Sequence, residues 1–309
     1  RDLHSFPTRR SSDLWAAALA LALIVLTRNA DANRDRTDRW RYHRGVLAEA
    51  AGQTDTARAE YELALAANPR HPQAHYNLGV ILQSQDQLPQ AIEHYRTALA
   101  VYPELTHARF NLAVALTGLN RIDQAIDQYR ILLKTDPADR ESLVNLADLL
   151  NAVNRLDEAA TVYQQALNLD PNNPELHYKL GDALNWLGRD AQALPHHQRA
   201  VDLDPDRPAY LNGLARLLAA GEDPAVRDGA RALQYARRAV TLSPDNPILL
   251  DTLAAALARA GDYPAAGDTA ARAVALAQAA GQPAVAADIQ SRLARYRQGE
   301  PYIERSLTP

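Results

Sequence analysis

With 309 residues, 47% of them hydrophobic and 23% charged, the chain is long enough to bury a substantial core. A net charge of −4 gives no general attraction to nucleic acid or anionic lipid, so no nucleic-acid partner is expected. The lack of cysteine excludes disulfides, thiolate zinc sites and thiol nucleophiles, and the lack of methionine is what a fragment or a processed product would show.

Residues 1–14, RDLHSFPTRRSSDL, back-translate into a string that resembles a sequencing-library adapter, and they are expected to be non-native. Residues 15–27 open with twelve apolar side chains, Trp15 to Leu26. A membrane span needs about 20 such residues, so this run is expected to be the surviving end of a transmembrane helix. A signal-peptide core and a buried soluble helix are the other readings of it. Residues 28–37 form a charged linker, and the arginines there and just beyond favour a cytoplasmic flank only weakly, because aspartates are interleaved with them. The protein is therefore expected at a membrane, on a side that the chain does not specify.

Beyond residue 37 a fixed period governs the chain. Prolines stand at 69, 103, 137, 171 and 205, each 34 residues from the last. Eight residues before the first four are Tyr61, Tyr95, Tyr129 and Tyr163, with His197 before the fifth; four residues earlier again are Ala57, Ala91, Ala125, Ala159 and Ala193. Steps of four and eight mark one face of a helix, which the proline then ends. Each period holds an earlier helix as well, such as QAHYNLGVILQSQ over residues 73–85. Between the two stand Gly52, Asp86, Asn120, Asn154, Gly188 and Gly261, residue types that tolerate a left-handed backbone. Three positions later come Asp55, Pro89, Asp123, Asp157 and Pro264, suited to an N-cap or a first helical turn.

This pattern resembles the tetratricopeptide repeat, a 34-residue helix-turn-helix. The resemblance implies an all-α fold: a right-handed α-solenoid of about seven helix hairpins with a C-terminal capping helix. The copies begin at Asp38, Pro72, Thr106, Arg140, Pro174, Pro208 and Pro247 and occupy residues 38–280, with the capping helix and a tail over 281–309. The sixth copy carries a five-residue insertion near GEDPAVRDG, and the seventh has Ala270 in place of the aromatic residue. One hairpin cannot cover its own apolar face, so each copy needs a neighbour. Val285, Ile289, Leu293 and Tyr296 lie at helical spacing and suit a cap with one wet face.

Counted from the start of each copy, positions 4, 7, 8 and 11 fall on one side of the first helix and positions 2, 5, 6, 9 and 12 on the other. In this repeat family the second stripe faces the groove of the solenoid. Position 6 holds Asn77, Asn111 and Asn145 in three successive copies. An amide row of this kind is similar to that in the repeat portion of O-linked N-acetylglucosamine transferase, where it grips peptide backbones. Tyr76, Phe110 and Tyr178 occupy position 5; Glu141, Asp148, Glu175 and Asp182 occupy positions 2 and 9; Asn151 and Asn185 occupy position 12. These residues form the candidate groove, its acidic half suited to a basic or amphipathic segment. The lysine clamp by which some relatives hold a terminal carboxylate is not expected, since aromatic and aliphatic residues fill position 5.

No phosphate loop, nucleophile elbow or metal-ligand spacing stands out, so no catalytic residue, metal or cofactor is assigned. His71 and His75 straddle a proline without an evident third ligand. The expected function is a non-catalytic protein- or peptide-binding scaffold that takes an extended or helical segment in its concave groove and is tethered to a membrane by the N-terminal run. The alternative rests on the last hundred residues, among them LDTLAAALARAGDYPAA and RLARYRQGEPY, which look like the soluble end of bacterial membrane proteins whose glycosyltransferase-like region lies upstream.

Overall fold

A computed structural model describes residues 37–304 and 306. The adapter-like residues, the apolar run and the linker up to residue 36 lie outside the described residues. Those described form fifteen α-helices and no strands. The chain divides into two compact units, the first ending at Ser142 and the second starting at Leu143.

The first unit holds α1 (Thr37–Ala50), α2 (Thr54–Ala67), α3 (Pro72–Ser84), α4 (Leu88–Val101), α5 (Thr106–Gly118) and α6 (Ile122–Thr135). Helix α7 (Arg140–Ala152) begins in it and carries the chain over the boundary. The second unit continues with α8 (Leu156–Leu169), α9 (Pro174–Trp186), α10 (Asp190–Leu203), α11 (Pro208–Ala220) and α12 (Gly229–Leu242). It ends with α13 (Pro247–Arg259), α14 (Tyr263–Ala279) and α15 (Pro283–Arg297). Odd-numbered helices up to α13 are the first helices of the expected copies, and six of the seven start on the expected residue.

The turn between the helices of a hairpin follows from one backbone rule. Asp86, Asn120 and Asn154 have φ of 58°, 56° and 61°, and Gly52, Gly188 and Gly261 are left-handed too. That conformation lets the next amide reach back to a carbonyl five residues earlier, as in Gln87 N–H to Leu82 (2.9 Å) and Arg155 N–H to Leu150 (2.8 Å). Asp55, Pro89, Asp123, Asp157 and Pro264 all lie in the first turn of a second helix; the N-caps themselves are residues such as Gln53, Gln87 and Arg121. The insertion in the sixth copy replaces this turn by a loop over 221–228, which buries Val226.

The register residues are the core. In the first unit Ala57, Ala91 and Ala125 are fully buried and Tyr61, Tyr95 and Tyr129 are at most 1% exposed. Ala159, Tyr163, Ala193 and His197 repeat this in the second unit, where α15 also buries Ile289, Leu293 and Tyr296. Removing such large side chains from water contributes roughly 1.5–3 kcal/mol each.

Four hairpins are also tied between position 4 of the first helix and position 23 of the second. In the first unit the pairs are Arg41–Glu60 (3.1 Å), His75–His94 (2.8 Å between Nδ1 atoms) and Arg109–Gln128 (3.0 Å). His177–His196 (3.0 Å) is the equivalent in the second. The first-helix member of three of these pairs also meets the carbonyl of the preceding proline, at Pro69, Pro103 and Pro171.

Candidate peptide-binding site

In the first unit the amides at position 6 turn toward the core. Asn77 Nδ2 donates to the Tyr61 hydroxyl (3.0 Å), which itself donates to Glu49 (2.8 Å). Asn111 meets the Tyr95 hydroxyl, which donates to Gln83 (2.7 Å). A buried hydroxyl left without partners costs about 1–3 kcal/mol, so each asparagine satisfies the phenol of the preceding repeat. Burial first, then the neighbouring Glu49 carboxylate, keeps the Tyr61 phenol protonated. Asn111 is only 2% exposed and Phe110, edge-on to Tyr129 at 5.8 Å, only 1%; neither offers surface to a ligand, contrary to the groove expected from the register. Tyr76 and Asn77 are half-buried, as is Glu141 in the first turn of α7.

In the second unit Asn145 is buried, Asn151 is exposed at the end of α7, and Asn185 is buried with its amide on Asp190 (2.9 Å). Asp190 also accepts the Asp223 amide (2.8 Å), so Asn185 supports the inserted loop. The acids expected to attract a basic guest are already paired. Asp148 accepts from Tyr163 (2.6 Å) and Lys179 (2.8 Å), Glu175 from Tyr210 (2.8 Å), and Asp182 from Arg216 (2.7 Å). Tyr178 joins them, its ring 5.9 Å from His197 and 5.3 Å from Tyr210. Lys179 and Arg216 occupy positions 6 and 9, the same stripe as the acids, and offset part of their charge.

The segment after α15 shows what this face can hold. Gly299, at φ 74°, turns the chain out of the helix. The carbonyl of Tyr302 accepts from Arg259 (3.3 Å), the Glu304 amide donates to the carbonyl of Ala220 (2.7 Å), and the Ser306 amide donates to Glu222 (3.2 Å). Side chains add to the backbone grip. Arg292 lies over the Tyr302 ring (5.1 Å to its centre), and Arg216 donates to Glu304 (2.7 Å) while covering Trp186 (4.9 Å). Burial alone would lower the Arg216 pKa, but Glu304 and Asp182 together carry it above its ordinary value. The tail thus crosses α13, then α11, and brings Ser306 beside Gly188, where an added Cβ would lie 3.1 Å from that of Ser306. Sequence reasoning missed these residues. The acid and aromatic side chains of EPYIE and the arginines at 216, 259 and 292 are present as letters, but nothing in their spacing brings them together.

Among the described residues no group of three or more histidines, aspartates or glutamates is placed to hold a metal ion, and no helix is long and apolar enough to cross a membrane.

Models of the tetratricopeptide repeat match residues 72–105 and 107–139, and a TPR repeat model matches residues 147–188. No curated protein matches the chain. Among solved structures the chain resembles YrrB, described as a TPR protein with an unusual peptide-binding site. The identity is 19% over 62% of this chain and 95% of that one, with a TM-score of 0.54. PilF of Pseudomonas aeruginosa has 20% identity over 70% and 96% of the two chains and a TM-score of 0.52. MamA has 18% over 55% and 93%, with a TM-score of 0.51. At such identities the likeness shows the fold alone, and that fold is an all-α array of helix hairpins. The chain contains tetratricopeptide repeats over the matched residues, and repeats of this kind generally bind protein or peptide partners.

Proposed function

We propose that the protein is a non-catalytic scaffold that holds an extended protein segment against the first helices of its repeats. The observation that carries this reading is the tail itself: Tyr302, Glu304 and Ser306 are held through backbone groups as well as side chains, the way an added peptide would be. Backbone capture tolerates many sequences, while the arginines select among them. Panning a random peptide library on the full chain, followed by hydrogen exchange of the complexes, tests the reading. Enriched peptides should slow exchange in α9, α11 and α13; enrichment that protects only the second helices would remove it.

The scaffold is further proposed to sit at a membrane through residues 15–27, on the ground of the apolar run alone. Two charged substitutions at Leu21 and Ile24 should release the expressed chain from the membrane fraction. Continued sedimentation with membranes would count against the anchor.

A further inference from the structure

We infer that the first-helix face of α9, α11 and α13 is built for an extended acidic segment with an aromatic residue two positions before a glutamate, and that Tyr302–Glu304 occupies it in cis. The inference rests on the peptide-binding reading above and adds the chemistry of the guest and a closed resting state.

Charge decides the class of guest. Three guanidiniums converge on the tail: Arg216, Arg259 and Arg292. Asp182 answers Arg216 at 2.7 Å and Asp251 answers Arg292 at 2.8 Å. Arg259 donates to two backbone carbonyls, those of Ala219 (2.7 Å) and Tyr302 (3.3 Å), with no carboxylate at ion-pair distance among the described residues. Counting Glu222, which accepts the Ser306 amide, the carboxylates of this face match the three guanidiniums in number, so the selection is local: Arg216 holds Glu304, whose side chain is only 11% exposed. A basic side chain at the Glu304 position would face Arg216 as a like charge, whereas an acidic one gains charge-assisted hydrogen bonds. The ring of Tyr302 on Arg292 adds a cation–π contact and sets the spacing of two residues between the anchors.

The tether explains why the face is closed. A tail joined to α15 through Gly299 and Glu300 competes at an effective concentration on the order of millimolar, so a free peptide of equal intrinsic affinity sees few vacant sites. A partner must bring more contacts than the tail, or something must weaken the tail.

The experiment uses the full chain and a labelled peptide, EPYIERS, copied from residues 300–306. Glu304→Arg places a cation against Arg216, and Tyr302→Ser removes the ring from Arg292; both leave the face intact. Each variant should bind the peptide at least tenfold more tightly than the unaltered chain by fluorescence anisotropy, with unchanged helicity by circular dichroism. A peptide in which the Glu304 equivalent is glutamine should bind the opened variants at least tenfold more weakly. Helical variants that take no more peptide than the unaltered chain would overturn the cis closure, and equal binding of the glutamine peptide would overturn the acidic preference. In either case library peptides that protect α9, α11 and α13 would leave the broader reading standing.

Discussion

His197 stands where four other repeats have a tyrosine, and its consequences belong to a single side chain. It is fully buried, the Gly181 backbone lies against its ring, and Asp182 approaches Nε2 only to 3.7 Å. Burial disfavours the imidazolium and outweighs the nearby carboxylate, pushing the pKa down to about 4. Unfolded, the same ring titrates near 6.5. Between these values the unfolded chain binds a proton that the folded one refuses, so stability is complete above about pH 6.5 and falls as the pH drops toward 4. The loss from this one group is about 3 kcal/mol across that window. His197→Tyr, the residue that the register calls for, should remove this part of the acid sensitivity. Urea midpoints measured from pH 7 to 4 check it, and an unchanged slope would show that the ring is already charged or solvated in the folded state.

The turn inside each hairpin is the element most fully legible from the amino acids. Glycine, asparagine and aspartate at one register position announce a left-handed residue, and all six expected positions have it. Gly52, at φ 73° with open space where a Cβ would go, isolates the backbone term. Gly52→Ala should cost about 1–2 kcal/mol through left-handed strain alone, whereas Asn120→Gly should be neutral or slightly stabilising; thermal melts of the two variants test this. The helix register was legible for a related reason: proline, alanine and tyrosine each act within one or two turns of chain. The destination of the asparagines was not. Position 6 can point a polar group at solvent or at a phenol of the preceding repeat, and the choice depends on a residue 16 positions away, as in Asn77 and Tyr61. Likewise, acids at positions 2 and 9 look unpaired until Lys179, Tyr210 and Arg216 close on them from the same or neighbouring helices.

At the scale of the molecule, stability is a sum over neighbours. In the second unit the core runs from α10 through α15 as one continuous cluster, and α15 covers the last apolar face. An array of this kind is bound by nearest-neighbour interfaces, so damage at its end should spread inward by steps. Leu293, 2% exposed in α15, is the point to apply it. Leu293→Ala should cost about 2–5 kcal/mol. Hydrogen exchange should then quicken most in α15 and α14, less in α13 and least in α9. The tail should loosen along with α15, because Arg292, adjacent to the substituted residue, holds both Asp251 and the Tyr302 ring. A weakened end repeat would thus also open the binding face, linking the stability of the last helix to access by a partner. Uniform quickening across α9 to α15 would instead mean that the second unit opens as a single cooperative body, and the stepwise picture would be wrong.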